Sequence, residues 1–316
     1  MKVIDMHCDT ITKDLYFNKS LYDNDGHMSI KKMLQGDYAM QCFAMFVFLS
    51  NEYSPYQKCE EYIQHFKKEM ELNKDYISQV YNYDQLVENM ANNKMSALLT
   101  VEEGATIEGS LDKLQHFYDE GVRMMTLTWN FENEIGYPND MKQPPFKPVT
   151  DKGLKDFGYE TVKRMNELGM IVDVSHGSDK LFWDVINTST KPIVASHSSS
   201  RAICDIPRNL TDEMIEKLAD KGGITGINYC PDFIGGNTEE NQIPMIVEHI
   251  KHIVNVGGID VCGLGSDFDG IDTPVGLSDC SKMNELYIAL KEAKFTDEQI
   301  EKIFYRNFLR VFKEIC

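Results

Sequence analysis

The sequence predicts an α/β fold, a single-domain (β/α)8 TIM-type barrel over residues 1–316, and three observations predict it. Eight short apolar runs recur along the chain, amphipathic helical patterns fill most of the intervals, and several runs end in a residue able to bind a metal. Continuous Val, Ile, Leu and Met runs separated by helices indicate a parallel sheet covered on both faces. Eight such runs suit closure into a barrel, with an open doubly wound sheet as the competing arrangement. No repeat, low-complexity tract or Gly/Ser linker divides the chain.

The first run is VIDMHCD (3–9). Strict alternation along a strand places Asp5, His7 and Asp9 on one face and Ile4, Met6 and Cys8 on the other. AMQCFAMFVFL (39–49), MSALLTVE (95–102), VRMMTLTW (122–129) and MIVDVSH (170–176) follow. PIVASH (192–197), GGITGINY (222–229) and VCGLGSDF (261–268) complete the set. CEEYIQHFKKEMEL, GLKDFGYETVKRMNELG and TDEMIEKLADKG carry helical periodicity between them. Thr296 to Gln299 fits a capping box, and FYRNFLRVFKEIC reads as an amphipathic helix. Two polar segments, 130–153 and 230–244, interrupt the rhythm; long loops in a compact domain are usually functional lids or disordered.

The 316 residues carry a formal net charge of −18, which argues against nucleic acid and anionic membrane surfaces as partners. No run approaches the roughly 18 apolar residues of a membrane span. Strand-like sequence begins almost at Met1, leaving no room for a signal peptide. The eight cysteines are scattered without a C-x-x-C pair and are expected to be reduced thiols. A cytoplasmic protein is the expectation.

The chemistry lies at the strand ends. These are His7-Cys-Asp9, Glu102-Glu103, His176, His197 and Asp267-Phe-Asp269. In a parallel barrel the C-terminal strand ends form one rim, where residues distant in sequence converge. Two carboxylates and three imidazoles suit zinc or another borderline divalent ion, and they suffice for two ions if one carboxylate bridges. A lone histidine at a strand end is more often a satisfied core residue, so the shared address carries the inference. The other histidines lack it: His65 and His116 lie on helical patterns, His27 in a polar loop, and His249 and His252 on a helix face expected to be exposed. GLGSDFDG lacks dinucleotide-loop spacing, and no H-E-x-x-H or G-x-S-x-G is present.

Together, HCDT (7–10), VEEGATIEGSL (101–111), GVRMMTLTWN (121–130), IVDVSHGS (171–178), PIVASHSSSRAICDIPRNLTD (192–212), GLGSDFDG (263–270) and NFLRVF (307–312) resemble the membrane dipeptidase (renal dipeptidase, peptidase M19) family of the amidohydrolase superfamily. The resemblance runs through essentially the whole chain in order. It implies a barrel with two divalent ions, most readily Zn2+. His7 and Asp9 would bind one, His176 and His197 the other, and Glu102 would bridge. It also implies Asp267 as the group that takes a proton from the bridging water and passes it to the leaving amine. Arg208 would grip the substrate's terminal carboxylate, which a guanidinium can do bidentately.

Two departures stand out. The family pattern Val-Glu-Gly-Gly has Glu103 in place of its first Gly, and alternation turns Glu103 away from Glu102. Trp129 replaces a histidine found in mammalian relatives; its indole can donate one hydrogen bond but carry no proton. Asn130 beside it is the alternative contact to substrate. The implied activity is hydrolysis of unblocked dipeptides through a metal-bridging hydroxide, with tolerance of a C-terminal D-residue. A metal-dependent amidohydrolase acting on N-acyl amino acids or other small amides and lactones is the alternative, and a catalytically silent metal-binding barrel carries least weight. A homodimer is what the family suggests.

Overall fold

The eight apolar runs all become strands of one closed sheet. The computed structural model describes residues 1–17, 19–271 and 276–316. In chain order the strands are β1 (Val3–Cys8), β2 (Tyr38–Phe46), β3 (Ile77–Gln79), β4 (Met95–Glu102), β5 (Val122–Thr126), β6 (Ile171–Asp173), β7 (Val194–Ala195), β8 (Ile224–Ile227) and β9 (Cys262–Leu264). All pairings between them are parallel, in the order β2-β1-β9-β8-β7-β6-β5-β4, and β4 returns to β2 to close an eight-stranded barrel. Among the described residues the short β3 pairs only with the beginning of β4 and stands outside the ring.

Alternation sorts the side chains into two layers. Leu99 and Val101 of β4 face the surrounding helices, while Leu98 joins Met40, Met124 and Ile224 in a separate interior cluster. That cluster is closed at the bottom by Phe308, Val311 and Phe312 of the helix Asn307–Ile315, the segment expected to be amphipathic. Each fully buried side chain of this size contributes about 1.5–3 kcal/mol. Gly226 of β8 keeps room for Met6: a Cβ there would lie 2.7 Å from Met6 Cε and 2.1 Å from the Ser196 carbonyl oxygen.

Strict alternation fails in β1. Asp5 pairs with Gln41 and Cys8 with Phe43, so β1 carries one more residue than β2 over this stretch. Such a bulge re-aims side chains. Ile4 and Met6 point into the barrel, Cys8 joins the outer layer, and His7 is left at the rim. Asp5 therefore does not share the face of His7. Its carboxylate accepts the His7 and Ser266 backbone N–H groups at 3.1 and 3.0 Å.

The strands are also shorter than the apolar runs. β6, β7 and β9 stop before His176, His197 and Asp267, which stand on the first turn of the following loops. His176 and Asp267 adopt left-handed backbone, with φ of 67° and 62°. Such conformations in non-glycine residues cost about 1–3 kcal/mol each and cluster at functional sites. The polar segment 130–153 folds over the mouth as irregular chain, tied by isolated bridges such as Pro138 to Gly177. Segment 230–244 contains the short helix Pro231–Ile234 and the start of the helix Gln242–Gly257. Among the described residues no helix is long and apolar enough to cross a membrane.

Candidate active site

The rim gathers His7, Asp9, Glu102, His176, His197 and Asp267 into one buried cluster. Glu102, last residue of β4, is its centre. Its Oε2 lies 3.3 Å from His7 Nε2, and its Oε1 lies 3.0 Å from His176 Nε2 and 3.6 Å from His197 Nε2. His7 Nε2 is 3.5 Å from Asp9 Oδ2 and 3.8 Å from Asp267 Oδ1. The carboxylate of Glu102 thus has one oxygen toward the His7–Asp9 pair and the other toward the two remaining imidazoles.

The hydrogen bonds behind the cluster choose the tautomers. Asn130 Oδ1 is 3.0 Å from His176 Nδ1, which donates to it. Ser196 Oγ donates to Asp173 Oδ2 at 2.6 Å and is 2.7 Å from His197 Nδ1, which therefore donates to Oγ. Both imidazoles then present bare Nε2 lone pairs, and these nitrogens lie only 2.9 Å apart, facing a carboxylate oxygen. Two bare lone pairs this close repel one another, and a cation seated beside them would relieve that repulsion. Among the described residues His7 Nε2 and Asp9 Oδ1 are buried without a hydrogen-bond partner. Gly270 completes the cradle, because a Cβ there would lie 2.2 Å from both Asp9 Oδ2 and Asp267 Oδ1. Donor set, tautomers and space all fit borderline divalent ions.

Without cations the cluster is electrostatically uneasy. Burial, the Arg208 guanidinium and His7 hold the His176 imidazole well below its ordinary pKa, and burial does the same to His197. Burial alone would lower His7 as well, yet the charges of Glu102 and Asp9 raise it well above the usual value. Burial pushes Glu102 up to about 7 and Asp267 up to about 6. Asp267 is oriented by Asn228, whose Nδ2 donates to Oδ2 at 2.9 Å and leaves Oδ1 turned to His7.

A cavity of about 1020 Å³ opens above this cluster. Arg208, Trp129 and Asn130 all line it. Arg208 is 3 % exposed; among the described residues it donates to neutral oxygens only, Ser198 Oγ at 3.3 Å and the His197 carbonyl at 3.1 Å, and its Nε has no partner. Trp129 rests edge-on or tilted against Phe46, Phe48 and Phe131, with ring centroids 5.0–5.8 Å apart. Asn130 commits its Oδ1 to His176 Nδ1 while it also borders the cavity.

Other expectations meet different fates. Glu103 turns its carboxylate away from the cluster, accepting from Ala105 N–H (2.8 Å), Trp129 N–H (3.2 Å) and Asn133 Nδ2 (2.6 Å). Asp269 also leaves the cluster: it accepts from Thr10 Oγ1 and His27 N–H at 2.6 and 2.7 Å, latching the loop that carries His27. His249 is buried, not exposed, because its Nδ1 accepts the Ser200 N–H at 3.0 Å and its Nε2 reaches the Ile234 carbonyl at 3.2 Å. Sequence reasoning missed Asn228, although it is the penultimate residue of the apolar run GGITGINY, directly follows β8 and obeys the same strand-end rule. It also missed Asp173, Ser196 and Phe46, which sit inside apolar or metal-bearing strings and have no separate signal.

A parallel (β/α)8 barrel with buried imidazoles and carboxylates converging at its C-terminal rim defines the metallohydrolase class of barrels. Residues 1–316 match the membrane dipeptidase family, peptidase family M19, and the chain belongs to it. An uncharacterized dipeptidase of Schizosaccharomyces pombe is 32 % identical over 303 residues, covering 91 % of this chain and 72 % of that protein. A second one from the same yeast is 39 % identical over 224 residues, 70 % of this chain and 53 % of its own length. A solved metallopeptidase from Rhodobacter sphaeroides, bound to a phosphinate mimic of the dipeptide L-Ala-D-Ala, superimposes with a TM-score of 0.90 at 22 % identity, covering 100 % of this chain and 99 % of that one. The protein is accordingly a metal-dependent dipeptidase of family M19.

Proposed function

We propose that the protein hydrolyses unblocked dipeptides, using two divalent ions held by His7, Asp9, Glu102, His176 and His197, with zinc the ion that best suits the donors. One observation carries this: among the described residues Arg208 is a buried guanidinium that feels the charges of Asp267 and Glu102 but makes no direct ion pair, beside the carboxylate–imidazole cluster and open to the same cavity. A buried guanidinium without a directly bonded carboxylate is costly, and the free carboxylate of a peptide supplies one. When bound, the ions would polarise the scissile carbonyl and acidify the attacking water.

The chain's own groups supply the rest. Arg208 anchors the carboxylate and sets the distance from it to the scissile bond, which excludes longer peptides. Asp267, turned to the cluster by Asn228, accepts the proton of the attacking water and returns it to the departing amine. Trp129 borders the cavity and offers no proton. The Rhodobacter relative binds an L-Ala-D-Ala mimic, and tolerance of a C-terminal D-residue is proposed here too. The eight free cysteines and acidic surface support a reducing, cytoplasmic setting without nucleic acid or membrane as partner. A homodimer is proposed on the family resemblance, and light scattering reads it.

The test is hydrolysis of L-Ala-L-Ala and L-Ala-D-Ala before and after chelation and zinc restoration. Turnover that is lost with chelator and returns with zinc is expected, together with a lower melting temperature of the stripped protein. Asp267→Asn should keep its metal and lose at least about 100-fold in kcat; retained turnover removes Asp267 from the reaction. The large cavity also favours a second reading, deacylation of N-acyl amino acids. Rapid deacylation with no dipeptide cleavage would establish it.

A further inference from the structure

Resting on the dipeptidase reading, we infer that Phe46 and Trp129 form a subsite for a bulky apolar side chain on the N-terminal residue of the substrate.

The barrel order fixes which end of the dipeptide meets them. Arg208 follows β7, and Asp267 follows β9, so both stand on the β7–β9 side of the rim. Phe46 ends β2, Trp129 follows β5, and β4 with Glu102 lies between those two strands. A dipeptide with its carboxylate on Arg208 and its scissile carbonyl over Glu102 therefore extends its N-terminal residue toward the opposite wall. That wall is Phe46 and Trp129.

Its chemistry is apolar and its geometry is set in advance. Phe46 lies in phase with Met40 and Cys42 on β2, so the period of the strand brings it inward to the mouth. Both rings border the cavity, 5.0 Å apart between centroids and tilted by 60°. Behind them Phe48 and Phe131 pack on Trp129 from the outside. The Trp129 backbone is held by Glu103, the carboxylate that stands where the family pattern has glycine. Neither Phe46 nor the Trp129 ring faces offers a hydrogen-bond or ion-pair partner, so a carboxylate or amide side chain would lose its water there without compensation. An apolar side chain gains by burial, and preorganised rings give that gain without an ordering cost.

The experiment compares kcat/KM for Phe-Ala, Gln-Ala and Ala-Ala in the zinc-loaded protein and in Phe46→Ala and Trp129→Leu. Phe-Ala is expected to exceed Ala-Ala and Gln-Ala by about tenfold or more, the scale set by small differences in apolar fit. Phe46→Ala should pull the Phe-Ala to Ala-Ala ratio down by about tenfold while Ala-Ala turnover and bound zinc persist. Trp129→Leu should lower the same ratio, so the subsite does not depend on one variant folding. Equal kcat/KM for the three peptides in the wild type, or an equal loss for all three in Phe46→Ala, overturns the subsite and leaves the dipeptidase reading intact. Absence of turnover with every dipeptide, in protein shown to hold its metal, overturns both.

Discussion

A hydroxyl and a carboxylate decide which nitrogen of His197 faces the site. Asp173 is buried at the end of β6 and accepts from Thr126 Oγ1, Ser175 N–H, Ser196 N–H and Ser196 Oγ. With its own proton committed to Asp173, Ser196 Oγ can only accept from His197 Nδ1, which leaves the Nε2 lone pair turned to the cluster. Such outer partners fix ring orientation and raise ligand basicity. Ser196→Ala removes one link while Asp173 keeps its other three donors, so the fold should persist. Metal affinity, read by competition with a chelator, should fall by about 10- to 100-fold; unchanged affinity would make the serine a packing residue. The metal-binding types at 7, 9, 102, 176 and 197 were legible in the sequence because they recur at strand ends. The Asp173–Ser196 support was not, because a carboxylate inside an apolar run looks like any polar interruption until the hydrogen bonds are seen.

At the scale of the element, the turn after β4 shows a trade between backbone strain and anchoring. Glu103 has a φ of 96°, a conformation natural to glycine, which the family pattern carries there. Here the side chain offsets the strain by accepting three hydrogen bonds that pin the following turn and the chain at Trp129 and Asn133. Two replacements separate the terms. Glu103→Ala loses the acceptors and keeps the strain; Glu103→Gly loses the acceptors and relieves it. The Gly variant should therefore be more stable than the Ala variant by about 1 kcal/mol in urea unfolding, the reverse of their usual order. Next to it, Gly104 permits close approach: a Cβ would lie 2.4 Å from the Leu127 carbonyl oxygen and 2.5 Å from Ile135 Cδ1. Gly104→Ala should cost about 1–3 kcal/mol by overpacking in the same assay.

For the molecule as a whole, alternating apolar runs and helices were enough to read eight parallel strands, and their number favoured a closed barrel over an open doubly wound sheet without deciding it. The bulge in β1 was not legible, since one inserted residue leaves the composition unchanged, and the three-residue β3, with Ser78 and Gln79, has too little apolar content to register. His249 was misread for a related reason: periodicity places it on a helix but cannot show that the Ser200 loop covers it. Its burial has a consequence for global stability, because burial lowers its pKa to about 4, with His252 on the same helix adding to the shift. Above pH ~6.5, the unfolded value, it is neutral in both states and its contribution is complete. Between pH ~6.5 and ~4 the unfolded chain takes up a proton that the folded chain refuses, and stability is lost at up to about 1.4 kcal/mol per pH unit. Other groups act oppositely over that range. The net charge of −18 shrinks as carboxylates protonate, easing self-repulsion, and Glu103, pushed up to about 7 by burial, gains its proton earlier when folded. The wild-type curve therefore mixes signs, and the difference from His249→Gln isolates one of them. At pH 7.5 the variant should be less stable by about 1–3 kcal/mol through lost hydrogen bonds. The gap should close steadily from pH ~6.5 to ~4.5 as the imidazole penalty falls on the wild type alone. Urea unfolding at half-unit pH steps measures it, and two parallel curves would mean that His249 takes up its proton without leaving the fold.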